Sequence, residues 1–260
     1  MRFEDKTTAQ LETELDCILK IHANLPRQGP GSDEMTAHAL SFVPALSDSA
    51  RVFDMGCGPG RAALILASNL KTAVVAVDLV PSFLDQLRQS ASAAGLDQKI
   101  EPRLANMSEL DEPAESIDLI WAEGAVYNIG FDNALKTWRH LLKPEGTIAC
   151  SELSWLTDRP SEEAAAFWRE NYPAMRTKAE NIEASERLGY RCLMHLVFPE
   201  SCWWEEYYGP LKANVRKLTA TTPQDSLLAK NLKRTEKEIS VYERNSKDYS
   251  YVFYILQKAG

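Results

Sequence analysis

The stretch Arg51-Val-Phe-Asp-Met-Gly-Cys-Gly-Pro-Gly-Arg61 constrains the fold more than any other part of the chain. A short apolar run, Val52 and Phe53, reaches Asp54 and then breaks into glycines at alternate positions, Gly56, Gly58 and Gly60. This is the pattern of a buried strand ending in a tight loop. From Ala62 to Leu70 the pattern turns helical, with Leu64, Ala67 and Leu70 on or near one face. Strand, glycine loop and helix N-terminus in succession make a place where backbone approaches a ligand closely, with N–H groups and the helix dipole available to its polar parts.

The dinucleotide fingerprint G-x-G-x-x-G requires its third glycine at position 61, which is occupied by Arg61. Asp54, two residues before the first glycine, and the G-x-G-x-G order resemble instead the nucleotide loop of class I S-adenosylmethionine (SAM) dependent methyltransferases. In that family the loop passes under the methionine part of SAM, and the acid helps organise that end. A second strand, Ala73-Val-Val-Ala-Val-Asp78, stops at a carboxylate about 20 residues beyond the central glycine, as expected where an acid meets ribose hydroxyls. Asn106-Met107 stands where the family commonly has an acid facing the adenine amino group and an apolar neighbour beside the ring. The side-chain oxygen of Asn106 is able to accept that hydrogen bond, without a charge. The turn Leu142-Lys-Pro-Glu-Gly146 is also similar to the family. The resemblance covers Arg51 to Glu152 and is nearest to the small-molecule methyltransferases of the ubiquinone and menaquinone type and their bacterial relatives.

The implied fold class is α/β: a Rossmann-like, seven-stranded methyltransferase sheet of order 3-2-1-4-5-7-6, strand 7 antiparallel, with N-terminal helices and a helical insertion after strand 5. The periodicity supplies the elements. Leu11, Leu15, Ile18, Leu19 and Leu25 mark an amphipathic helix ending near Pro26, and Ser32 is an N-cap for a second. Ile100 to Ala105 reads as the third strand, Ser116 to Ala122 as the fourth and Thr147 to Glu152 as the fifth. The sixth falls around Leu193 to Phe198, and Tyr249 to Leu256 is the last. The expected organisation is a single domain over residues 1–260, with a core at 51–152, a helical cover at about 156–192 and C-terminal strands and helix at 193–260. The segment from Pro160 to Gly189 is expected over the carboxyl ends of the strands. Gln224 to Ser246 has apolar residues at helical spacing, and its charges read as a solvated face.

Composition narrows the function classes. A net charge of −8 over 260 residues argues against a nucleic-acid footprint. Five cysteines with no C-x-x-C spacing support neither a disulfide framework nor a metal site, and free thiols fit a reducing compartment. The polar start and the lack of an 18-residue apolar run give the expectation of a cytoplasmic protein without membrane insertion, monomeric or homodimeric.

The resemblance implies SAM as cofactor, S-adenosylhomocysteine (SAH) as product, and a cofactor set of Asp54, Gly56, Gly58, Gly60, Asp78, Leu79, Asn106, Met107 and Glu123, with no metal. Gln28 to Ser32 are expected to border the cofactor. In an open α/β sheet the ligand crevice lies outside the carboxyl ends of the strands. That rule makes Glu123, Tyr127 and Glu152 the acceptor-side catalytic candidates, with Trp155, Trp203 or Trp204 and Glu205 or Glu206 at the same edge. Acids and aromatic faces favour an amine acceptor over a phenol or quinone hydroxyl. The alternatives are a SAM-binding module without catalysis and an NAD-dependent oxidoreductase, which Arg61 disfavours.

Overall fold

The computed structural model describes the backbone of residues 8–260 and the side chains from residue 13 onward. Leu11 and the polar first residues of the chain lie outside the described side chains. Helix α1 (Thr8–Ile21) ends five residues before Pro26, and α2 (Asp33–Leu40) starts at its Ser32 cap, whose hydroxyl accepts from Met35 N at 3.0 Å. Cys17, Ile21 and Leu25 are the buried residues of the first segment, whereas Leu15 and Ile18 are exposed.

The central sheet follows the alternating pattern. Strands β1 (Val52–Met55), β2 (Val74–Asp78), β3 (Ile100–Leu104), β4 (Ile117–Ala122) and β5 (Leu142–Trp155) are parallel, joined by helices α3 (Arg61–Asn69), α4 (Pro81–Ala93) and α5 (Phe131–Arg139). Beyond them come α6 (Glu162–Asn171), a two-residue strand β6 (Arg176–Thr177), α7 (Lys178–Arg187) and β7 (Tyr190–Val197). The chain continues with α8 (Glu200–Trp203), a π-helical turn at Trp204–Tyr208, α9 (Gly209–Thr219), α10 (Leu227–Asn245) and β8 (Tyr249–Lys258). The order is β3-β2-β1-β4-β5-β8-β7, with β6 on the end of β5 and β8 antiparallel to both neighbours. This is the seven-stranded order expected, plus one short strand. Strand β5 begins five residues before the expected Thr147. Leu142 pairs with Ile117, the Lys-Pro-Glu-Gly turn bulges out, and pairing resumes at Leu119–Thr147.

Buried parallel strands are apolar on both faces, and here successive residues feed two different cores. Val52 packs with α2, α3 and α4, while its neighbour Phe53 packs with α5 on the opposite face. A third apolar cluster forms a cap. It joins Ile21 and Leu25, Phe167 and Trp168 of α6, Trp203, Tyr207 and Tyr208, α9 and α10 to Leu153 and Tyr249. Leu153 is near the end of β5 and Tyr249 starts the antiparallel β8, so the cap sits at the carboxyl ends of the parallel strands.

The expected cover therefore has different members. α6 takes part in it, but α7 lies on the sheet, where Asn181 donates to Ser154 Oγ at 3.1 Å and Tyr254 Oη at 3.3 Å. Small and polar residues on the inner face of α7 (Asn181, Ala184, Ser185) allow that close seat. α1, α8, the π turn, α9 and α10 supply the remainder of the cap.

Candidate active site

Gly56, Gly58 and Gly60 all have positive φ, at +71°, +53° and +88°, which is why this loop is glycine. Their surroundings give them different tasks. A Cβ on Gly60 would strike the Leu87 side chain, so Gly60 allows α3 to start against α4 and does not face a ligand. A Cβ on Gly58 would meet only Gln28 Cγ, 3.8 Å away, and this is the open point of the loop. The loop N–H groups are turned inward: Gly56 and Cys57 donate to Val77 O at 2.8 and 2.9 Å, and Gly58 to Asp78 Oδ2 at 2.8 Å. Asp78 also accepts from Val80 N at 2.8 Å through Oδ1. The two backbone donors fix the carboxyl while each oxygen keeps a lone pair. Leu79, beside it, is exposed, offering an apolar face at the end of β2.

Asp54 is buried at the end of β1, and its Oδ2 has no hydrogen-bond partner. Burial pushes this carboxyl well above its usual range, with Glu123 and Asp78 adding negative charge and the Ala63 N–H opposing. An orphaned buried acid beneath an open glycine loop suits a ligand cation such as the ammonium of a methionine moiety. Met107 Sδ lies 3.5 Å from where a Gly56 Cβ would be, so it borders the loop. Asn106 does not fit the adenine role: its Oδ1 already accepts from Ser108 N at 3.0 Å and Ser108 Oγ at 2.8 Å, closing a local turn.

Glu123 is a second correction. It closes β4 as expected, but Oε1 accepts from Arg27 Nη1 at 2.8 Å, and Oε2 from Thr36 Oγ1 at 2.8 Å and Trp121 Nε1 at 3.4 Å. Both oxygens are committed, which leaves no free carboxylate toward an acceptor. Arg27, 5% exposed, also binds Asp33 and Glu206, each at 2.9 Å, and Arg61 binds Asp33 at 2.6 Å. The residue at the place of the third dinucleotide glycine thus serves an ion-pair network that holds the segment after α1 against the loop. Glu206 is spent in this network, Glu205 is exposed, and Trp203 is in the core, stacked on Tyr242 with centroids 4.1 Å apart.

Glu152 remains. It is 2% exposed, Oε1 accepts from Leu153 N at 2.8 Å, and Oε2 has no partner. Burial pushes its pKa up to about 8, against the pull of the Tyr172 hydroxyl, the Leu153 N–H and Arg176. The Tyr172 phenol faces this carboxyl but does not close a bond to Oε2. Tyr172 meets Tyr127 edge to face at 6.5 Å. Tyr127 is 44% exposed, yet burial raises its hydroxyl, followed by the charge of Glu238 and, more weakly, Glu152. Sequence reasoning missed Glu238, on α10, because its neighbours are charged and the helix reads as solvated. The spacing that sets it one turn from the apolar Tyr242 was the available signal.

Residues 52–146 match the family model of a methyltransferase domain. Over that stretch the chain carries a methyltransferase domain, and its sheet has the strand order expected of the class I fold. Methyltransferase GfsG of Streptomyces halstedii is 27% identical over 40% of this chain and 37% of its own. Dimethylglycine N-methyltransferase of Parasynechococcus marenigrum is 31% identical over 46% of this chain and 44% of its own. The chain thus spans less than half the length of these curated relatives. In fold, a SAM-dependent methyltransferase of Thiobacillus denitrificans solved with SAH superposes with a TM-score of 0.77 at 20% identity, over 92% of this chain and 97% of that one. SAM is the cofactor of this family. Among the described residues no helix is long and apolar enough to cross a membrane.

Proposed function

We propose that this protein transfers a methyl group from SAM to a small-molecule acceptor, with an amine ahead of a phenol or quinone hydroxyl. The observation that carries the reading is Glu152, a buried carboxyl with one unpartnered oxygen at the crevice, beside tyrosines and next to the domain's cofactor end. Bound SAM supplies an activated methyl group, so the protein's share is mainly position and orientation. Asp78 and Asp54 hold the two ends of the cofactor. Glu152 Oε2 receives the proton that an ammonium acceptor must lose before its nitrogen can attack. The two arginines that approach the crevice are neutralised, Arg27 by three acids and Arg176 by Asp132 at 2.6 Å. An anionic acceptor would find little to bind there, which supports an amine.

Calorimetric titration with SAM, followed by an acceptor screen with methyl-labelled SAM, tests the reading. Glu152→Gln is expected to leave SAM affinity nearly unchanged and to lower turnover at least about tenfold, roughly 1.4 kcal/mol in the barrier. In the parent protein turnover should rise with pH as Glu152 ionises near 8, and Glu152→Gln should flatten that rise. Equal turnover in the two proteins would remove Glu152 from the chemistry, and absence of SAM binding would remove the function.

A further inference from the structure

The cap contains a carboxylate that neither the cofactor nor the proton transfer uses. Glu238 points from α10 toward the interior, and its Oε1 accepts from Tyr208 Oη at 2.9 Å. The Tyr208 ring is stacked on Tyr207 at 5.0 Å, and the Tyr207 hydroxyl lies 3.3 Å from His22 Nε2. Both tyrosines come from the π-helical turn, whose extra residue per turn brings Tyr207 and Tyr208 inward together while Glu206 reaches Arg27. Such turns are frequent at functional sites. Among the described residues no ammonium or guanidinium lies within ion-pair distance of Glu238. Arg234, one turn earlier on α10, attracts this carboxylate without pairing with it, and burial still outweighs that attraction; a carboxylate among aromatic rings without an ion-paired cation is expensive to keep, and a ligand cation would relieve that cost.

We propose that Glu238, bonded to Tyr208 and framed by the Tyr207–Tyr208 stack, is a subsite for an alkylammonium group of the acceptor. The proposal rests on the methyltransferase reading and deepens it. Two observations join this subsite to the rest of the crevice. Glu152 Oε2, buried and unpartnered, faces the crevice from β5 beside Tyr172, which contacts Tyr127. The Tyr127 and Tyr251 hydroxyls are both held above their ordinary range by burial, with Glu238 and Glu152 each contributing negative charge. Both carboxyls therefore act on the same two tyrosine hydroxyls, Glu152 from the sheet and Glu238 from the cap. Carboxylate plus ring faces is the chemistry that recognises an alkylammonium ion, each face contributing about 0.5–2 kcal/mol.

The test uses a pair of isosteres, choline and 3,3-dimethyl-1-butanol, which differ in the positive charge. Each is titrated calorimetrically into the full-length protein, with and without SAH. Choline should bind at least about tenfold more tightly than the alcohol. Glu238→Gln should abolish that preference while SAH affinity stays the same, and Tyr127→Leu, at a position 44% exposed, should weaken choline and spare the alcohol. Equal binding of the isosteres, no binding of either, or a preference that survives Glu238→Gln would overturn the subsite. Failure of SAH to bind would count against the methyltransferase reading instead, because the isostere titrations without SAH are read independently.

Discussion

Three glycines of identical sequence character separate at the scale of single residues. Gly58 faces open space and Gly60 faces Leu87, so a valine should act differently at each. Gly58→Val is expected to remove the thermal stabilisation that SAH confers, at a modest loss of Tm from the strained φ. Gly60→Val should lower Tm far more, because its side chain must displace the packed Leu87. Thermal melts with and without SAH decide; equal behaviour of the two variants would mean that the loop does not divide its tasks in this way. Glu152 makes a further prediction at this scale. Its folded pKa lies at about 8, above the ordinary 4.5, so the folded state binds more protons than the unfolded one between those values. Stability must therefore fall as pH rises through that window, by at most about 1.4 kcal/mol per pH unit. Glu152→Gln carries no such charge. The variant should gain on the parent steadily from pH 5 to pH 8.5 in urea titrations, and a constant difference would show that Glu152 is ionised throughout.

Periodicity made the first four strands of the sheet legible, since buried parallel strands are continuous apolar runs and each begins within one residue of where Val52, Ala73, Ile100 and Ser116 placed it. Asp54 and Asp78 were legible for a related reason: an acid at the end of an apolar run stands out in the chain. Glu123 was equally visible, but its partner was not. Arg27 lies 96 positions away, and nothing local announces a pair of that separation. Glu238 was hidden because an inward carboxylate on a charged helix looks like its solvated neighbours. The element that Arg27 holds is the segment between α1 and α2, tied also by Gly31 N to Cys202 O at 2.9 Å. Arg27→Ala would leave Glu123 buried and uncompensated, at a cost of about 3–5 kcal/mol. Hydrogen exchange across residues 22–32 should accelerate in that variant, and adding Glu123→Gln should restore part of the stability. If the double variant were no more stable than Arg27→Ala, the buried pair would not be what secures the segment.

The whole molecule is organised as a sheet with two faces and a cap, and the connection between cap and sheet decides whether it behaves as one body. The cap cluster includes Leu153 and Tyr249, which belong to the paired strands β5 and β8, and Trp203 donates from the cap to Ser250 Oγ of β8 at 2.9 Å. β8 lies inside the sheet between β5 and β7, so the cap is rooted in a central strand and not in a peripheral loop. Loss of the cap would strip apolar cover from Leu153 and Tyr249, and loss of β8 would divide the sheet. One cooperative transition is the expected consequence. The tryptophans provide the probe, because Trp121 and Trp138 are buried in the sheet layers while Trp168 and Trp203 are buried in the cap. Urea unfolding followed by tryptophan fluorescence and by far-ultraviolet circular dichroism should give coincident midpoints. Trp203→Ala, which removes the ring stacked on Tyr242, should shift both midpoints together by a loss of about 3–5 kcal/mol. A fluorescence transition that precedes the loss of helix and sheet signal, in the parent or in Trp203→Ala, would show that the cap unfolds as a separate unit and that the acceptor crevice can open without disturbing the sheet.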